Sequence, residues 1–394
     1  MADRHEASLT RPAPWNDPRW RGVFWQILTL AVIVWLAWQA IDNAIVNMRS
    51  RNIPTDFSFW NQPAGFDVSQ ALVPFSSASS TYGRAFLVGL LNTLVVAVIS
   101  IVLATIIGFV IGIARLSNNW IVARLATVYV EVIRNTPLLL QLLFWYNAVL
   151  KAMPGPRDSI ALPGSIFLNN RGLVLPEPLV GPGFAWVAGA ILLALLLSFA
   201  FAIWARRRQT ATGARYHTWP VFVGLLIALA GGAAALQGVP VTFMLPELRG
   251  FNFTGARINP EFVALVLGLS LYAAAFIAEI VRAGVTAVPR GQSEAGEAIG
   301  LSRGEVLRLV VIPQALRIIV PPLTNQYLNL IKNSSLGVFI GYPDLVQIFM
   351  GTVLNQTGAA VQVVIITMAV YLVISLVTSL AMNLYARRIA LQER

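Results

Sequence analysis

Between Arg84 and Arg115 the chain runs through residues 85–114 without one charged side chain. At 1.5 Å per residue such a helix reaches about 45 Å, longer than the roughly 30 Å of hydrocarbon in a bilayer. A soluble core has no slot so long and so uniformly apolar. Comparable runs recur, giving eight candidate spans at about 23–42, 86–114, 127–150, 183–205, 218–238, 260–283, 320–341 and 362–386. The mean hydropathy of +0.70 and a 57% hydrophobic share agree with an all-α polytopic membrane protein. The first run, Val23–Ile41 after Arg19 and Arg21, is too long for a signal core and lacks a small-x-small cleavage site, so it reads as a retained helix.

An even number of spans puts both termini on one side, and the arginines say which. Segments 1–22, 115–134, 206–217, 282–318 and 387–394 are basic and alternate with longer, arginine-poor segments at 43–85, 151–182, 239–259 and 342–361. The positive-inside bias makes the first set cytoplasmic, both termini included, with Arg206-Arg207-Arg208 as its strongest anchor. This asymmetry explains the net charge of +11 better than a nucleic-acid partner does, since only Lys151 and Lys332 are lysine among 28 basic residues. Zero cysteines exclude disulfides and thiolate chemistry, and the two histidines, His5 and His217, lie in polar loop sequence, so no metal site or catalytic triad is expected.

Segments 43–85 and 151–182 are rich in Pro, Gly, Ser and Asn and are expected to be loops. The uncharged stretch Leu345–Ala386 exceeds one helix, and Gly351, Asn355 and Gly358 suggest a first piece, about 345–357, at the outer surface. Glu131/Arg134 and Glu279/Arg282 are each spaced i, i+3, the spacing of neighbours on one helix face. Ionised groups at mid-membrane cost about 2.5–3.5 kcal/mol each on insertion scales, which places both pairs at the cytoplasmic rim as ion pairs that set helix depth.

The longest inside loop, about 283–320, contains EAGEAIG at 294–300. Gln292 or Ser293 can open a short helix, Glu294 suits its positive end, and Gly300 can close it in a left-handed cap. Ser302 and Glu305 then form a capping-box signature for a second helix. Physics alone leaves two uses open for the first helix: packing on a partner protein, or lying parallel to the membrane as a connector.

The run GQSEAGEAIGLSRGEVLRLVVIPQALR resembles the EAA loop of binding-protein-dependent ABC importer permeases, whose pattern is E-A-A, three residues, G, nine residues, I-x-L-P. Glu294, Ala295, Gly296 in place of the third alanine, Gly300, Val310, Ile312 and Pro313 fall at those spacings. YVEVIRNTPLLLQLLFWY at 129–146, AEIVRAGVTAVPRGQ at 278–292 and IPQALRIIVPPLTNQYLNLIKNSSL at 312–336 are similar to the polar amino-acid branch. The expanded layout resembles the Q-type permeases of general L-amino-acid transporters. It divides into an N-terminal tail, extra span and periplasmic segment (1–84), the first part of a five-helix type I core (85–150), an insert with two more spans (151–255), and the rest of the core (256–394) with the coupling loop at 284–318.

The resemblance implies an inner-membrane permease half that pairs with a second permease in a heterodimer, two ATPase subunits and a periplasmic amino-acid-binding protein. It makes Glu294, Ala295, Gly296 and Gly300 ATPase-coupling residues. No cofactor is implied, because ATP binds the partner ATPase; this chain has no phosphate-binding loop.

Asn325, Asn329 and Asn333 recur every four residues and form one helix stripe, with Lys332 beside Asn329. Such a stripe serves either as hydrogen-bonding steps for a translocating amino acid or as glue between helices. Thr136 and Gln141, which flank Pro137, carry the same two readings: a proline break exposes carbonyls that line a cavity, or it kinks the helix for packing. An ion-coupled secondary transporter would need carboxylates in mid-span, and none is evident. A membrane scaffold would leave the loop unpartnered, and an enzyme would need a nucleophile, base or metal cluster that the sequence lacks.

Overall fold

The computed structural model describes residues 18–389, except 51, 52, 55, 182, 215, 238–240 and 251. His5 and the two termini lie outside the described residues. In chain order the helices are α1 (Pro18–Ser50), α2 (Tyr82–Ala114), α3 (Trp120–Asn135), α4 (Leu138–Leu150), α5 (Phe184–Thr212), α6 (Thr218–Leu236), α7 (Pro260–Thr286), α8 (Arg290–Ala298), α9 (Arg303–Ile340), α10 (346–357) and α11 (Ala360–Ile389). Seven are long and apolar enough to cross a membrane: α1, α2, α5, α6, α7, α9 and α11. The third expected span is the broken pair α3 and α4, interrupted at Thr136–Pro137, so each of the eight positions carries helix.

Two boundaries move furthest. α1 runs to Ser50, eight residues past the expected end at 42, because Asp42, Asn43 and Asn47 end the apolar run without ending the helix. α9 starts at Arg303 instead of about 320, passing through a π-helical turn at Leu307–Val311 before the regular helix Ile312–Asn333. Pro313 falls just after that π-helical turn, and the chain stays helical through it.

The fold separates into two compact units, one from the residues up to Leu91 with Asp344–Ile374, the other from Asn92–Pro343 with Ser375 onward. In the first, Phe59, Trp60, Phe66, Phe75, Tyr82, Phe86 and Phe349 form a chain of ring contacts with centroids 5.2–6.5 Å apart. This aromatic nest orders the Pro/Gly/Ser-rich segment expected to be a loop. α10 packs into the same core, where Leu345, Ile348, Phe349 and Val353 are buried. It is a separate short piece before the last span, as expected, with one face set in this core. Asp344 caps it: Gln347 N–H donates to its Oδ1 at 2.7 Å and the Tyr371 hydroxyl lies 3.4 Å from Oδ2. Burial pushes this carboxyl up to about 7.

The second unit is organised on α7, whose small residues Ala264, Gly268, Ala273, Ala274, Ala278 and Gly284 are buried. Lipid offers no hydrophobic drive between helices, so close approach of small residues holds them together. Gly108 and Gly112 of α2 fit this logic: a Cβ at either would lie 2.6 Å from Ile277 Cβ or 2.8 Å from the Ala278 carbonyl oxygen. The Tyr129 hydroxyl of α3 donates to the Leu271 carbonyl at 2.7 Å, and Thr105 of α2 shares a 2.9 Å hydrogen bond with Tyr327 of α9.

The expected loop at 151–182 contains four short strands. Strands β1 (Ile160–Leu162), β2 (Ile166–Asn169) and β3 (Gly172–Leu175) form an antiparallel sheet that β8 (Ala256–Ile258) completes. β4 (Glu177–Val180) pairs with β5 (Val241–Met244), and β6 (Leu248–Arg249) with β7 (Asn252–Phe253). The apolar runs IAL, IFL and LVL between turn residues are strand signals, each far too short to cross a membrane. Between the β elements, α5 and α6 pack on each other as a hairpin.

Candidate functional site

The coupling loop is built by local backbone hydrogen bonds. α8 opens after Pro289, earlier than the expected start at Gln292 or Ser293, and ends in a Schellman motif: Leu301 N–H donates to the Gly296 carbonyl at 3.2 Å and Gly300 N–H to that of Glu297 at 2.9 Å. Gly300 has φ +87°, a conformation costing an L residue about 1–2 kcal/mol. Ser302 and Glu305 complete the capping box, with Ser302 N–H donating to Glu305 Oε2 at 2.9 Å.

Gly296 explains its departure from the EAA pattern. It is the buried residue of α8, and a Cβ there would stand 3.0 Å from Val306 Cγ2, so glycine seats α8 directly on the helix that follows. Glu294, Ala295 and Glu297 face outward with Ile299, which is 78% exposed. A large exposed apolar side chain at the end of a short capped helix that also carries two exposed carboxylates suits contact with another protein.

α7 and α9 enclose a cavity of about 290 Å³ between Leu269, Tyr272, Ala273 and Phe276 on one side and Gln326, Asn329, Leu330 and Asn333 on the other. Of the stripe, Asn329 and Asn333 line it; Asn325 and Lys332 are exposed outside it. None of these four side chains makes a hydrogen bond to another described residue, so their donors and acceptors face open space.

One α7 turn from Phe276, Glu279 gathers three arginines. Arg115, just past the end of α2, and Arg282 of α7 bond its carboxylate, the latter at 2.6 Å, and Arg134 of α3 lies 4.0 Å away while stacking over Phe276 at 5.2 Å. This corrects the pairing expected from spacing. Glu131 makes no ion pair with Arg134 and accepts instead from Asn135, because Arg134 turns toward α7. Three guanidiniums on one carboxylate leave a local excess of two positive charges beside the cavity. Arg115, with a side chain only 9% exposed, was legible merely as a topology signal, since its partner lies 164 residues away.

Thr136 and Gln141 do not line this cavity. The Gln141 amide donates to the carbonyls of Ile133 and Thr136 at 2.9 and 3.0 Å, satisfying groups that Pro137 leaves without helical donors, and Thr136 Oγ1 donates to Val132 O at 2.8 Å. Tyr272, Phe276 and Gln326 were missed because in sequence they are ordinary residues of apolar helices; only the α7–α9 pairing brings them together.

Comparison with known proteins gives the family. Residues 218–391 match the family model described as "Binding-protein-dependent transport system inner membrane component". The chain is 50% identical to the general L-amino acid transport system permease protein AapQ of Rhizobium johnstonii, over 99% of this chain and 100% of that one. It is 48% identical to the putative amino-acid ABC transporter permease protein YhdX of Escherichia coli, over 96% of both chains. It is 42% identical to the glutamate/glutamine/aspartate/asparagine transport system permease protein BztB of Rhodobacter capsulatus, again over 96% of both. Transporters of this kind combine such a permease with a separate ATPase and a solute-binding protein. With identity at this level sustained from end to end, the chain belongs to the inner-membrane permease subunits of binding-protein-dependent ABC importers.

Proposed function

We propose that this permease carries amino acids, that it forms half of a heterodimeric pathway with a second permease, and that both its termini and α8 lie in the cytoplasm. The observation that carries the pathway reading is the amide-lined cavity. Unpartnered amides within a span are expensive unless they meet water, solute or another helix, and Gln326, Asn329 and Asn333 converge there opposite Tyr272 and Phe276. The amides offer successive hydrogen bonds to a zwitterion, and the arginine excess around Glu279 favours a passing carboxylate. Asn325 and Lys332 extend the polar surface toward the second permease, while Thr136 and Gln141 hold the break in the third span, outside the cavity.

The ATPase takes hold at Glu294, Ala295 and Gly300, and Gly296 completes the coupling by seating α8 on the following helix, so that the capped α8 transmits movement as a rigid lever into α9. ATP is bound by that partner, and this chain needs no cofactor. Names of the full-length relatives, which specify L-amino acids and the glutamate/glutamine group, support the substrate class. The test is Asn329→Leu in the reconstituted transporter. The expected result is normal assembly with a changed ranking of competing amino acids; loss of assembly with no change in ranking would move the stripe from pathway to helix–helix adhesion.

A further inference from the structure

The sheet formed by β1, β2, β3 and β8 carries a notch of about 210 Å³ lined by Pro156, Asn169, Arg171, Val174, Asn252, Phe253 and Arg257. Its construction is specific. β2 and β3 join through a two-residue turn, Asn170–Arg171, with Asn169 paired to Gly172. Gly172 has φ +110°, and a Cβ there would overlap the Ile258 carbonyl, so only glycine lets the turn close against β8. This brings the Arg171 carbonyl 3.1 Å from Arg257 Nε, which donates to it. Arg171 Nη1 donates to Asn252 Oδ1. Asn169, 1% exposed, fixes the floor by accepting from Arg171 N–H at 2.9 Å and donating to Ser159 Oγ at 3.0 Å. Phe253, stacked on Phe167 with centroids 4.8 Å apart, forms a flat wall.

Two guanidiniums and two amides converge without a carboxylate in the lining, and the terminal nitrogens of Arg257 have no partner among the described residues. Like charges lining one small notch repel, and an anion in it offsets the repulsion while accepting planar hydrogen bonds from a guanidinium. At this volume the notch admits one small group. We infer that it is a carboxylate-binding site, distinct from the cavity between α7 and α9, which receives either an acidic solute before translocation or an acidic side chain of the solute-binding protein. The second source rests on the proposed orientation, which puts this sheet on the outer face.

The experiment uses the full chain in nanodiscs of neutral lipid and the complete transporter with its binding protein. Succinate and inorganic phosphate are titrated into the first by calorimetry; affinity of the solute-free binding protein for the second is measured at low and high salt. The Arg171→Gln/Arg257→Gln double variant is expected to lose at least tenfold in the affinity of one arm, with Arg257→Lys intermediate because charge without the fork keeps part of the interaction. A response confined to succinate identifies a solute site, and one confined to the binding protein, weakened by salt, identifies a docking contact. Circular dichroism establishes that the variants are folded; Arg257→Lys, which preserves charge and the strand, carries the test if the double variant is not. Unchanged affinity in both arms overturns the inference, as does a phosphate affinity exceeding that for succinate, which would indicate a phosphate site.

Discussion

The turn at Gly300 and the arginine cluster at Glu279 are both charged features of one unit, yet they are held in opposite ways. The turn is made by groups within a few residues of one another: a Schellman closure, a left-handed glycine and a capping box. Its outer face is bare. The cluster is made by side chains from just past the end of α2, from α3 and from α7 and is half sheltered, with Arg115 almost wholly enclosed. A locally built element keeps its shape when a neighbour moves and so suits a part that must be pushed. A cluster tying three helices together resists such movement and suits a part that must stay.

That contrast sets the order of expected effects. Glu279→Ala should be the most damaging change, because it leaves the enclosed Arg115 without its carboxylate and removes the partner of Arg282: leaving such a group unsatisfied costs about 2–3 kcal/mol, to be read as a fall in thermal midpoint and in detergent-extracted yield. Asp344 offers a buried carboxyl without an arginine. Its raised pKa means that the folded state holds the proton more tightly than the unfolded one, so this contribution is fully present below the ordinary value of 3.8 and is lost as pH rises toward about 7. Asp344→Asn should therefore show a melting advantage over the parent that opens across that window; a gap independent of pH would contradict the assignment.

Gly300→Ala should come next, at about 1–2 kcal/mol, felt as local opening of α8 by hydrogen exchange with little change in the global melt. Ser302→Ala should be smallest, about 1 kcal/mol, and again local. If either loop variant destabilised the whole protein as much as Glu279→Ala, the distinction between a movable lever and a fixed frame would fail.

The same distinction explains what the sequence could show. Capping at Ser302 and Gly300 is short-range, so residue type and spacing revealed it, and the arginine run at 206–208 suggested topology. Eight apolar runs yielded eight helical positions. The i, i+3 spacing of Glu131 and Arg134 misled because a helix allows that pair but does not compel it, and Arg134 found Glu279 and Phe276 instead. The sheet was hidden because β3 meets its partner β8 only after two intervening helices. The cavity was half visible: periodicity placed Asn329 and Asn333 together, whereas Tyr272, Phe276 and Gln326 depended on the packing of α7 against α9.

ATP-driven uptake by Gly300→Trp in proteoliposomes containing the complete transporter tests the central claim most directly. The indole would stand on the outer face of the turn, where glycine has no heavy atom within 4 Å of its Cβ position, and would force the left-handed residue to rearrange. The account predicts a chain that inserts and melts close to the parent but supports no uptake, with ATP hydrolysis no longer stimulated by the loaded binding protein. Uptake at the parental rate, with the variant fully inserted, would contradict coupling through this turn.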